Sequence, residues 1–98
     1  MTINIQYVQI PVSETMSEYV TEKLEKLSSK YDWIISAVVA FKHENSKIDG
    51  KVCSIELSAP GPRLFAKADT DNYEQSVKDA ISELEKQLKK RKEVFSHH

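Results

Sequence analysis

Five of the seven residues from Lys86 to Lys92 are cationic (Lys86, Lys89, Lys90, Arg91 and Lys92) and none is anionic. Cations at this density on one rigid element can hold a phosphate backbone, each contact releasing a counterion. The same charges would also suit a helix C-terminus, where they meet the negative end of the macrodipole and keep the surface solvated. Both readings stand on this segment alone. A second basic set, Lys23, Lys26 and Lys30, falls along one border of an earlier predicted helix, on the side of Tyr19. Lys stems lying over apolar surface are its ordinary explanation.

Other chemistry is hard to find. The sequence has no Cys-x-x-Cys pair, no Gly-rich loop after a strand, and two glycines, Gly50 and Gly61. His43 lies near a predicted strand end, and His97 and His98 close the chain, either native or left from a purification tag. Cys53 is in phase with Ile55 and Leu57, which makes it a small core hydrophobe rather than a nucleophile. No Ser, His and Asp spacing marks a triad. We therefore expect no catalytic residue, metal set, cofactor or small-molecule substrate.

The basic residues are positioned by two helices. In Asp71 to Phe95, Val77, Ala80, Ile81, Leu84 and Leu88 repeat at the spacing of one helical face. Lys86, Lys89 and Lys90 then point to water, and Arg91 and Lys92 sit on the two borders of the stripe. A helix from about Glu14 to Ser28 buries Met16, Tyr19, Val20, Leu24 and Leu27, followed by Tyr31, and turns Glu14, Glu18, Glu22 and Glu25 outward. Ser13 is its expected N-cap, with Thr15 and Glu18 as a competing capping box. Ser28, Ser29 and Asp32 are read as its breakers. Alternation predicts a strand over Thr2 to Val8, ended by Pro11. Trp33 to His43 is rich in β-branched and aromatic residues and reads as a second strand, parallel to the first through the helical crossover. Glu44 to Gly50 is a turn, Lys51 to Ala59 a third strand in a hairpin, and Arg63 to Asp69 a fourth. The fold class is α+β, in the order β-α-β-β-β-α, with a four-stranded sheet and two helices on one face.

The 98 residues, 30% of them charged, make one small domain, residues 1–95, with 96–98 a tail. The single Cys53 cannot form an internal disulfide, and no secretory leader is evident at Met1 to Pro11, so the cytoplasm is expected. No apolar run reaches the roughly 20 residues of a membrane span. Net charge is -1 overall, but residues 1–77 carry 8 basic and 11 acidic side chains and residues 78–98 carry 6 and 4. The closing helix is the positive part.

Ile3, Asn4 and Ile5, the helix segment Glu18 to Leu27 with Tyr31 after it, Leu64 to Val77, and above all Leu84 to Glu93 (LEKQLKKRKE) together resemble the short ribosome hibernation-promoting factor family. It is also called the ribosome-associated inhibitor or sigma-54 modulation family, and the resemblance covers essentially the whole chain. It implies a fold similar to double-stranded RNA-binding domains that lodges on the small ribosomal subunit, contacts mainly ribosomal RNA, and blocks the channel used by mRNA and tRNA. On that basis Lys23 and Lys26 match basic positions of the family's first helix and Lys86, Lys89 and Lys90 those of its second. Arg91 and Lys92 extend the patch, Lys30 lies on the same border as Lys23, and Lys86 and Lys90 are the leading candidates. Glu83 departs from the pattern, standing where many relatives carry Lys, and so does the slightly acidic total. With little chain after Glu93, the short type is implied, in which joining two ribosomes needs a separate partner. The older family label implies an alternative, a protein-interaction module acting on a transcription factor, for which the acidic helix face would be the docking surface.

Overall fold

The computed structural model describes residues 1–45 and 49–96, so part of the predicted turn, residues 46–48, and His97 and His98 lie outside the described residues. The elements are β1 (Thr2–Val8), α1 (Glu14–Lys30), β2 (Ser36–His43), β3 (Lys51–Ser58), β4 (Leu64–Thr70) and α2 (Tyr73–Ser96), giving the expected β-α-β-β-β-α order. The sheet runs β1-β2-β3-β4, with β1 parallel to β2 and the remaining pairs antiparallel. After Val8 the chain turns at Gln9, whose φ of 58° lies in the left-handed region, two residues before Pro11.

Side chains alternate across the sheet. Ala37, Val39 and Phe41 of β2, Cys53, Ile55 and Leu57 of β3, and Leu64 and Ala66 of β4 are buried on the face that carries the helices. Val20, Leu24, Leu27, Val77, Ala80, Leu84 and Leu88 close the core from above, as the helical periodicities require. Burial pushes the Cys53 thiol up to about 12, in keeping with its core position. Among the described residues the one buried polar side chain is Ser76, whose hydroxyl donates to Lys51 O at 2.6 Å.

Several boundaries differ from those expected. Helix α1 continues through Ser28 and Ser29 to Lys30, because burial of Leu27 and Tyr31 holds the last turn and the Tyr31 amide bonds Leu27 O at 3.0 Å. Serine is a weak helix former, not a breaker, where packing decides. At the start of α1, Ser13 is the N-cap, its hydroxyl accepting from the Met16 amide at 3.2 Å, so the Thr15 alternative is not used. Trp33 to Ile35 precede β2 instead of forming it: the Ile34 amide bonds Tyr31 O in a turn and the Ile34 side chain plugs the core. Strand β3 stops at Ser58, one residue short, and β4 is displaced by one, from Leu64 to Thr70. Helix α2 starts at Tyr73, not Asp71, because Asn72 caps it, Oδ1 accepting from the Gln75 amide at 3.2 Å. Among the described residues no helix is long and apolar enough to cross a membrane.

Candidate nucleic-acid interface

The topology fixes how the two helices lie. Strand β4 is antiparallel to β3 and β3 to β2, so β4 runs parallel to β1. Each helix returns over the sheet after its strand, and α1 and α2 therefore run in the same direction. At the start of α2, Tyr73 donates from its hydroxyl to Lys42 O at 3.0 Å; near its end, Gln87 Nε2 donates to Phe65 O at 3.0 Å.

Contacts identify the facing flanks. Lys30 Nζ meets Glu85 Oε2 at 2.9 Å, and Lys92 Nζ lies 5.9 Å from the centroid of the Tyr31 ring. At about 100° per residue, the flank of α1 that carries Lys30 also carries Tyr19, Lys23 and Lys26, and the flank of α2 that carries Glu85 and Lys92 also carries Lys78 and Lys89. Glu14, Glu18 and Glu25 fall on the opposite side of α1. The basic border of the first helix thus faces the second helix. Lys89 and Lys92 lie beyond the end of α1 on this flank, so Lys23, Lys26, Lys30, Lys89 and Lys92 form one line about 20 Å long at a rise of about 1.5 Å per residue.

Local partners differ along this line. Lys23 Nζ sits 5.4 Å from the Tyr19 ring centroid, and Lys26 pairs loosely with Glu22 at 3.6 Å. The Glu85 hydrogen bond and charge hold the Lys30 ammonium above its ordinary range. Lys78, Lys86, Lys89 and Lys90 are exposed and have no ion-pair partner among the described residues. Their ammonium groups are open to a ligand approaching from solvent.

The structure does not gather all the predicted residues. Lys86 is on the crest of α2. Lys90 and Arg91 lie on the flank away from α1, lining a trough of about 500 Å³ with Pro60, Pro62, Val94 and Phe95. Arg91 is committed there, Nη1 donating to Pro60 O at 3.2 Å. Lys78 was missed by sequence reasoning, since an isolated lysine between Val77 and Asp79 gives no cluster signal; only the helix pairing reveals its place. Among the described residues no group of acidic, His or Cys side chains could hold a metal ion.

This geometry can be set beside known proteins. Residues 3–95 match the family described as "Sigma 54 modulation protein / S30EA ribosomal protein". The chain belongs to this family. Its curated relatives include proteins named ribosome hibernation promoting factor from Pseudomonas putida, 32% identical over 95% of this chain and 88% of the relative, and from Escherichia coli, 26% identical over the full length of both. Among solved structures of this fold, a ribosomal subunit interface protein from Coxiella burnetii superposes with a TM-score of 0.83 at 26% identity, covering 94% of this chain and 98% of that one. The N-terminal domain of Protein Y from Thermus thermophilus, 21% identical, shares the fold with a TM-score of 0.79, covering 92% and 98%.

Proposed function

We propose that this chain is a ribosome-associated inhibitor of translation that binds ribosomal RNA of the small subunit and occupies the mRNA and tRNA channel during hibernation. The observation that supports this best is the line of lysines along two parallel helices, Lys23, Lys26 and Lys30 leading into Lys89 and Lys92, with Lys86 on the adjoining crest of α2. Folded RNA is recognised largely by shape and phosphate, and rigid helices present cations without a large ordering cost. Glu14, Glu18 and Glu25 of α1 point the other way, so cations outnumber the acids Glu22 and Glu85 along this line although the whole chain carries -1. Relatives named as hibernation factors favour this reading over a transcription-factor module.

Cosedimentation with separated ribosomal subunits tests it. Lys86→Glu combined with Lys89→Glu, both exposed changes that leave the core untouched, should abolish small-subunit binding with an unchanged circular dichroism spectrum. Undiminished binding of the folded double variant would remove these residues from the site, and absence of wild-type binding at any salt would remove the function.

A further inference from the structure

The free edge of β1 is left open in a way the other edge of the sheet is not. The Thr2 amide donates to Ile35 O at 3.3 Å, so the backbone groups of Thr2, Asn4, Gln6 and Val8 turn toward β2. Those of Ile3, Ile5 and Tyr7 point outward, three N–H and three C=O groups without a partner strand. Proteins usually protect such an edge with a charge, a proline, a bulge or a covering side chain. Thr2–Val8 contains no charge and no proline, and its register against β2 is unbroken. At the opposite edge, β4 carries Lys67 and is covered at Phe65 O by Gln87 Nε2.

Beside the β1 edge lies a trough of about 470 Å³ between β1 and α1, lined by Ile3, Thr21, Glu25 and Ser28. The trough meets the start of β1 at Met1 and Ile3, so an added strand would place there the side chain that lies beside Ile3. Stepping about 100° per residue, Glu14 and Glu18 fall on the same flank of α1 as Thr21 and Glu25. All three glutamates are exposed and none has an ion-pair partner among the described residues. Alternate residues of a strand are about 6.7 Å apart and Glu14 and Glu18 about 6 Å apart along the helix axis, so this pair matches one strand repeat, while Glu25 lies about 10.5 Å beyond Glu18, at the trough.

We propose that the β1 edge docks an extended basic segment of a partner protein, added as a fifth strand, with one Lys or Arg meeting Glu25 at the trough and further Lys or Arg side chains reaching Glu18 and Glu14 along the helix. A second copy of this chain fits less well: β1 supplies no cation, and two-fold pairing would bring two acidic flanks together. The assignment is independent of RNA binding, because the lysines lie on the other flank of α1.

The probe is an acetylated eight-residue peptide alternating Lys and Val, with a Glu–Val peptide and a copy of the Lys–Val peptide N-methylated at alternate residues as controls. Hydrogen exchange by NMR should show the Ile3, Ile5 and Tyr7 amides protected at least tenfold by the Lys–Val peptide. Glu18→Lys with Glu25→Lys, both exposed, should weaken its binding at least tenfold. The N-methylated peptide, which cannot complete the ladder, should bind at least tenfold more weakly to the unaltered protein. Equal binding by the N-methylated or the Glu–Val peptide, or protection confined to other elements, would overturn the proposal. So would a dimer in sedimentation whose β1 amides are protected without peptide, which would assign the edge to a second copy.

Discussion

Lys30 and Glu85 are 55 residues apart in sequence and 2.9 Å apart in space, with the ammonium and the carboxylate both facing solvent. In such a setting the pair does little for stability, because water already solvates both charges. On the proposed function its larger effect would fall on RNA binding, since Glu85 holds a lysine proposed to meet phosphate. Glu85→Gln should therefore tighten small-subunit RNA binding several-fold in a filter-binding assay while leaving the melting temperature essentially unchanged. Weaker binding would mean that the pair positions Lys30 for its contact. Sequence periodicity placed Lys30 on a border of α1 and left Glu85 unremarked. One helix's pattern shows which face is buried, but not which flank its neighbour occupies.

At the scale of elements, the β2–β3 hairpin depends on one glycine. Gly50 has a φ of 78°, and a Cβ there would lie 2.6 Å from the backbone carbonyl oxygen of Glu44. The Glu44 amide bonds Gly50 O at 2.8 Å, and the Gly50 amide donates to Asp69 Oδ1 at 2.8 Å, which ties the hairpin end to β4. Gly50→Ala combines left-handed strain with a backbone collision and should cost about 1–3 kcal/mol, measured by thermal or urea unfolding. Gly61, with a φ of 94°, would set its Cβ 3.6 Å from the Arg91 guanidinium, an ordinary contact, so Gly61→Ala should cost less. The Asp49-Gly50 pair was legible as a turn because that dipeptide supplies the required conformation. Both helical stripes and the Cys53 phase were legible for the same reason: burial repeats at fixed intervals. Trp33 to Ile35 misled because β-branched and aromatic residues also plug cores from turns. Ser28 and Ser29 misled because their weak propensity is overridden by Leu27 and Tyr31.

Across the whole molecule, charge is sorted by side. One flank of α1 presents lysines to α2 and the other presents glutamates over β1, so a total of -1 conceals two surfaces of opposite sign. If about four to six lysines contact phosphate, the logarithm of the small-subunit association constant should fall with the logarithm of salt at a slope of roughly -3 to -5. A slope near zero would point to an apolar interface. This sorting was only half legible in the sequence. The heptad-like spacing separated Lys23, Lys26 and Lys30 from the glutamates, but which flank of each helix meets the other depends on the strand order β1-β2-β3-β4, which local patterns do not encode.

Helix α2 outruns α1, and its last turns rest on a chain of rings: Tyr31 against Trp33 with centroids 5.9 Å apart, and Trp33 against Phe95 at 5.1 Å. Trp33 is the sole tryptophan of the chain. The protein thus carries a built-in optical reporter at the joint where its basic arm leaves the body, and any partner that lifts, clamps or straightens that arm will announce itself as a change in the colour and intensity of the emitted light.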